Sequence, residues 1–287
     1  MNRLGVIGWG NVGKATGRGF SKNKINRVFW YDKYKKGPYT LEEVVSKSDF
    51  IFVCVPTPMF RDYSGVDISI VEEVVEQIAP KIEDIDKILI IRSSVLPGTT
   101  ASFLKKHPKT NFAMNPEFLT QRSAEKDFLN PSRTIVGASS KKVAERIKRL
   151  YQTILPKSQK YFLTDTTSAE IAKFMSNLLL ASKVVLANEF YFLAKELKLD
   201  YEGIREMVEA DMRIGTFLKV PGWDGDFGFG QACFPKDMIG LLAFTKKIGV
   251  DMSALEAIWE KNLKIRKNRD WEKMDNAFGR GASSSRL

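Results

Sequence analysis

The 287-residue chain has one histidine, His107, and two cysteines, Cys54 and Cys233. Two thiols cannot build a disulfide framework, and a structural zinc site would lack ligands, so no metal is expected. Histidine-based acid–base chemistry is excluded unless His107 serves. Its setting, Lys105-Lys106-His107-Pro108, reads as a solvated loop after a short helix. No secretory leader is expected, because Met1-Asn2-Arg3 runs directly into an apolar strand. No long hydrophobic run is free of polar residues either. The most apolar stretch, Leu178 to Ala194, carries Ser182, Lys183, Asn188 and Glu189, and reads as a buried helix of a soluble protein, not a membrane span. The final Ser285-Arg286-Leu287 is a three-residue likeness to a peroxisomal address, too short to carry weight, and the cytoplasm is the expected location. Chemistry here must run on cysteine, lysine, carboxylates or a cofactor.

A hydrophobic content of 44% and a charged content of 28% place the chain in the globular range, and its length suggests two domains. Short β-branched runs at 4–8, 28–31, 50–55, 87–92, 111–114 and 134–137 alternate with helical patterns at 11–20, 41–47, 69–79, 99–106 and 142–151. This α/β alternation predicts a doubly wound parallel sheet of six strands, a Rossmann dinucleotide-binding domain over residues 1–163. An all-α domain over 164–268 is expected next, with one long central helix from Thr167 to about Leu197. Shorter helices follow at 201–210, 235–248 and 252–268, interrupted by a glycine-rich loop over 220–232. Residues 269–287 form a basic stretch expected to be unstructured.

Gly8-Trp9-Gly10-Asn11-Val12-Gly13 fits G-x-G-x-x-G directly after a strand and at the opening of a helix. Gly8 permits the tight turn, Gly10 lets the backbone approach a pyrophosphate, and Gly13 allows close helix–strand packing. A second strand ends in Tyr31-Asp32, near the spacing expected for the acid that binds an adenosine ribose. Asp32 would accept from a 2′-hydroxyl and repel a 2′-phosphate, favouring NAD over NADP, although Lys33, Lys35 and Lys36 lie close by.

Cys233 sits in Gly228-Phe229-Gly230-Gln231-Ala232-Cys233-Phe234-Pro235-Lys236-Asp237. Pro235 suits a first helical turn, which places Cys233 at a helix N-terminus with Lys236 one turn on. Both features favour the nucleophilic thiolate. Cys54, inside Ile51-Phe52-Val53-Cys54-Val55, reads as a small buried hydrophobe. Lys173 and Asn177, four apart, share one face of the long helix with Glu170 nearby. A solvated polar stripe would explain these residues as well as a buried site does.

These residues resemble the UDP-glucose/GDP-mannose dehydrogenase family. The likeness includes the glycine loop, Val55-Pro56-Thr57-Pro58, Ser93-Ser94-Val95-Leu96-Pro97-Gly98-Thr99 and Asn115-Pro116-Glu117-Phe118-Leu119. It continues through Ala169–Phe174 with Asn177, Asp211–Gly215 and Gly228–Asp237. The resemblance implies NAD-dependent oxidation of a nucleotide sugar's C6 alcohol to a carboxylate, making a uronic acid, with two NAD used in turn. It implies Cys233 as nucleophile, Asp237 with Lys173 holding a water that acts as base, Lys173 and Asn177 stabilising an oxyanion, and Glu117 as base for thioester hydrolysis. Gly8, Gly10, Asn11, Val12, Gly13, Asp32, Val55, Pro56, Thr57, Ser94 and Lys236 would meet NAD. Glu117, Phe118, Leu119, Gln121, Lys173, Asn177, Phe217 and Gly230 would meet the sugar nucleotide. Arg213 would reach the partner subunit's substrate in a homodimer formed through the long helix.

The chain departs from the family pattern at four places. Gln121 stands where a second acid is usual, Ser94 where threonine is common, and Gly230-Gln231-Ala232 replaces Gly-Gly-Ser beside the thiol. Only 19 residues follow Asn268, too few for the family's C-terminal nucleotide-binding domain, so a short form is expected. A β-hydroxyacid-type dehydrogenase with one hydride transfer, or a non-catalytic NAD-binding protein, would share the same coarse architecture. The net charge of +11 fits attraction to dinucleotide and diphosphate ligands. With no recognition motif beside it, neither nucleic acid nor membrane is an expected partner.

Overall fold

Apolar strands of four to six residues, each too short to fold alone, line up as one sheet because helices cover both of its faces. In the computed structural model, which describes residues 1–120, 122–274 and 278, the chain divides into two units. The first comprises 1–57 and 68–173, and the second 58–67 with the described residues from 174 onward.

The first unit holds a sheet of β1 (Asn2–Ile7), β2 (Asn26–Tyr31), β3 (Phe50–Val53), β4 (Ile88–Ile91), β5 (Asn111–Met114), β6 (Thr134–Ala138) and β7 (Tyr161–Thr164), in the order β2-β1-β3-β4-β5-β6-β7. The side-chain period of two sends alternate residues of one strand to opposite faces. Ile51 and Val53 enter one core with Val71, Val75 and Ile78 of α3 (Ser69–Ile78) and Phe103 of α4 (Thr99–Lys106). Phe50 and Phe52 enter the other with Phe20 of α1 (Asn11–Phe20). The short α2 (Leu41–Lys47) opens on a capping box between Thr40 and Glu43.

The sheet is not all parallel, and it has one strand more than the sequence pattern suggests. β1 to β5 are parallel, but β6 runs antiparallel to β5, pairing Ala113 with Ala138 and Met114 with Gly137. The connection from β5 contains only the six-residue α5 (Ala124–Leu129) and returns at the end of the sheet where β5 finished. The eleven-residue α6 (Lys141–Tyr151) then carries the chain across, so β7 is parallel to β6.

His107 also departs from expectation. It ends α4 only 6% exposed, with Nε2 3.1 Å from Glu76 and Nδ1 3.6 Å from Glu83. Lys105 and Lys106 make this stretch look solvated, but the imidazole between them and Pro108 turns inward to two carboxylates.

A 31-residue helix, α7 (Thr166–Glu196), leads from the first unit into the second. It is long and apolar enough to cross a membrane by length and composition alone. In the second unit its buried residues Leu178, Ala181 and Val185 pack with Phe229 and Met238. Lys183 donates to the carbonyl of Ile214 at 2.7 Å, so this cation is used within the unit. The helix is not wholly buried, however. Met175, Leu179, Leu186, Phe190 and Leu193 recur along one stripe and are 46–64% exposed. Next come α8 (Tyr201–Glu209), capped by Asp200, then α9 (Cys233–Lys247) and α10 (Ser253–Ile265). Order extends past 268, because Asp270–Lys273 form a 3₁₀ turn whose Trp271 is fully buried.

Phe20 lies against the rings of Phe52, Phe128 and Tyr151 at 5.0–5.6 Å and is fully buried. Phe20→Ala should destabilise the first unit by about 3–5 kcal/mol, read as a lower urea midpoint at unchanged slope.

Candidate functional site

In the first unit the glycine loop joins β1 to α1 at the switch in strand order between β1 and β3. Gly8 has φ +92°, and a Cβ there would fall 2.7 Å from the Cys54 carbonyl oxygen. A Cβ on Gly13 would fall 1.9 Å from the Gly8 carbonyl oxygen, so the turn closes only with glycine at both places. Gly10 faces open space and caps α1 without any side-chain hydrogen bond. The first N–H groups of α1 therefore point into a cradle that a backbone-hugging anion fits. Asn11 is exposed and Val12 half-buried at the same helix start. Trp9 is held by stacking on Trp30 at 4.7 Å.

Asp32 follows β2 and accepts from Trp9 N–H at 2.7 Å and Tyr34 N–H at 2.9 Å. Burial pushes its carboxyl up, but those amide donors and the Lys35 ammonium outweigh it and hold the group below its ordinary range. Asp32 thus stays anionic, as a ribose hydroxyl donor requires. Val55, Pro56 and Thr57 follow β3, and Ser94 follows β4 behind Ser93, whose hydroxyl donates to the Val55 carbonyl at 2.6 Å. All these residues lie at the carboxyl edge of the parallel strands.

The Asn115–Leu119 loop follows β5. Asn115, 1% exposed, accepts from Arg92 Nη1 at 2.5 Å and Tyr151 hydroxyl at 2.5 Å, and donates to the Ile135 carbonyl at 2.7 Å. That clamp fixes the following Glu117, whose Oε1 lies 3.0 Å from Lys173 Nζ and whose Oε2 accepts from Leu119 N–H at 2.7 Å. Lys173 also donates to the Glu117 carbonyl at 2.6 Å and stands 5.3 Å from the Phe118 ring. Burial pushes the Glu117 carboxyl up, but the Lys173 ammonium, the Leu119 amide and Arg92 prevail and keep it below its usual range. Beside the loop lies a cavity of about 290 Å³ lined by Arg92, Asn115, Glu117, Phe118, Asp127 and Arg133. Arg92, Asn115 and Tyr151 are absent from the sequence-based site. An arginine ending a strand carries no signal until its burial is seen.

Glu170, Lys173 and Asn177 are 0%, 4% and 7% exposed, so the solvated-stripe alternative is excluded. Glu170 accepts from Gly98 N–H (2.6 Å), Thr100 N–H (2.9 Å) and Thr100 hydroxyl (2.6 Å), capping α4. Burial raises its carboxyl above the usual range despite these donors.

In the second unit Cys233 is the first residue of α9 and is exposed. Asp237, one turn on and 1% exposed, accepts from Asn177 Nδ2 at 2.6 Å and Lys236 Nζ at 2.6 Å. The expected residues thus gather as Glu117 with Lys173 in one unit and as Asn177, Lys236 and Asp237 beside the Cys233 turn in the other. Burial pushes the Cys54 thiol up to about 12, leaving it protonated and inert. Arg213 is exposed and pairs with Asp211 at 2.6 Å. Phe217 is exposed at φ +83°. Gly230 packs against Arg266 and Asp270, and Gln121 lies outside the described residues.

A glycine cradle at a strand-order switch and an acid after the second strand make the first unit a dehydrogenase-type NAD-binding domain. Residues 35–155 match the NAD binding domain of the UDP-glucose/GDP-mannose dehydrogenase family, and residues 167–264 match its central domain. The chain belongs to that family. It is 30% identical over 224 residues to UDP-glucose 6-dehydrogenase of Rickettsia bellii, covering 77% of this chain and 50% of that protein. It thus spans about half the length of the curated relatives it matches. A UDP-glucose dehydrogenase structure from Pyrobaculum islandicum superposes with a TM-score of 0.81 at 28% identity, covering 92% of this chain and 68% of that one. Mycobacterium tuberculosis 3-hydroxyisobutyrate dehydrogenase shares the fold, with a TM-score of 0.73 at 15% identity over 96% of this chain and 95% of that one.

Glu117 is depressed on folding, so its stabilisation is present above the ordinary glutamate range and is lost as pH falls through the lower folded value. Glu117→Gln removes the counter-charge of the buried Lys173 ammonium, and should cost about 3–5 kcal/mol at pH 7. In urea titrations the gap to wild type should narrow as the solution is acidified through that range.

Proposed function

We propose that the chain carries the NAD-dependent chemistry of a nucleotide-sugar 6-dehydrogenase, with UDP-glucose oxidised to UDP-glucuronate for polysaccharide biosynthesis. The observation that carries this reading is an exposed cysteine opening α9, with a buried Asp237 held by Asn177 and Lys236 on the next turn. NAD, when bound, accepts hydride. Gly8, Gly10, Asn11, Val12 and Gly13 hold its pyrophosphate, Asp32 its ribose, and Val55, Pro56, Thr57, Ser94 and Lys236 its remaining length.

The C6 alcohol loses a hydride and its hydroxyl proton, which passes to a water held by Asp237 and Lys173. Cys233 thiolate adds to the resulting aldehyde carbon, and the thiohemiacetal oxygen takes up a proton. Loss of a second hydride and that proton leaves a thioester. Water attacks it, Glu117 takes the water's proton, and the thiol departs as the carboxylate forms. The helix start at Cys233 favours negative charge on sulfur. Lys173 and Asn177 donate to the oxyanion, a role in which one donor lowers a barrier by ~3 kcal/mol. Phe118 and Leu119 of the first unit, and Phe217 and Gly230 of the second, would each meet the sugar nucleotide. Soluble NAD and nucleotide sugar suit a cytoplasmic location.

The working assembly in this reading is a homodimer through α7. Its exposed apolar side chains from Met175 to Leu193 are of the kind that a second copy covers. Arg213, whose side chain is 90% exposed beside Asp211, serves the partner subunit's site in this reading.

With UDP-glucose, wild type should release two NADH per sugar, and Cys233→Ser should form no uronate. One NADH per sugar in wild type, with Cys233→Ser unaffected, would instead support the single-hydride β-hydroxyacid type. Sedimentation equilibrium should show a dimer for wild type and a monomer for Phe190→Glu, which places a charge in the middle of the stripe.

A further inference from the structure

The loop that leads to Cys233 is gripped by a segment beyond residue 264, where the match to the family's central domain ends. Both carboxylate oxygens of Asp270 accept the Gln231 N–H, at 3.0 and 3.1 Å. Gln231 stands two residues before the thiol at φ +60°, in the left-handed region where a side chain is unfavourable and glycine is the usual occupant. Asp270 is itself held by Arg266 Nη2 at 3.2 Å, and the same nitrogen lies 2.6 Å from Asp224. The Arg266 side chain is 1% exposed.

The approach is close enough to restrict the loop sequence. A Cβ at Gly230 would stand 2.1 Å from the Arg266 guanidinium and 2.5 Å from Asp270. Trp271 is fully buried next to Asp270, with its indole N–H donating to the Tyr63 hydroxyl at 3.2 Å. Asp270 is thus anchored on both sides and directed at one backbone amide. That acceptor offsets the cost of the left-handed conformation of Gln231. Its relaxation would turn the chain at Ala232 and Cys233.

We infer that Asp270, oriented by Arg266, is a positioning residue that holds Gln231 in its left-handed conformation and so aims the Cys233 thiol. The inference rests on the proposed role of Cys233 as nucleophile. The test is Asp270→Ala in the full chain, read by hydrogen–deuterium exchange over 228–232 and by turnover of UDP-glucose. Exchange should accelerate at least tenfold, and kcat should fall at least tenfold while KM for NAD stays within twofold. Adding Gln231→Gly to Asp270→Ala should restore most of the lost kcat, because glycine takes that φ unaided. A purely structural role would not be rescued in this way. Asp270→Asn, which keeps one acceptor, should move both readouts the same way by a smaller factor, and it serves if the alanine variant does not fold. Unchanged exchange, unchanged kcat, or failure of the glycine rescue overturns the inference. If wild type oxidises no nucleotide sugar, the proposed role of Cys233 fails on its own, and the exchange rates still decide whether Asp270 holds the loop.

Discussion

A helix that buries charged and amide side chains must find a partner for each of them, and α7 carries four, three of them in its first half. Glu170, Lys173 and Asn177 occupy successive turns, and an unmet member would carry the desolvation penalty of a buried polar group. Glu170 is met by the N–H groups opening α4, Lys173 by Glu117, and Asn177 by Asp237. Each partner lies on a different loop or helix start, so satisfying α7 fixes those segments. Within the first unit this holds the loop after β4 and the loop after β5, and within the second it holds the first turns of α9.

The two units build their candidate sites by different physics. In the first, backbone does the work: glycines at 8 and 13 allow close packing, and helix N–H groups face an open cradle at Gly10. In the second, side chains do it, with a carboxylate held between an amide and an ammonium one turn from a thiol. Backbone recognition tolerates many side chains around it. The side-chain cluster tolerates few, since exchanging any member removes a hydrogen bond from another.

Much of this was legible in the sequence. The glycine spacing, the strand–helix alternation and Pro235 after Cys233 located the cradle, the sheet and the start of α9, because each is a local backbone requirement with a local residue signature. β7 was missed because Tyr161–Thr164 is a four-residue edge strand without clear alternation, and α5 because six residues are too few to show helical periodicity. The reversal at β6 depends on where a connection travels, which composition does not encode. His107 and Trp271 misled for a shared reason: each sits among charged residues, and neighbours in sequence report poorly on burial. The grip of Arg266 and Asp270 on the cysteine loop joins positions about 40 apart. No single-sequence pattern exposes such a pairing.

The two cysteines differ sharply: Cys54 is buried at the end of β3 and Cys233 is exposed at a helix start. A maleimide fluorophore added at neutral pH will therefore attach at one position without any prior mutagenesis. The native chain can report optically on events next to Cys233.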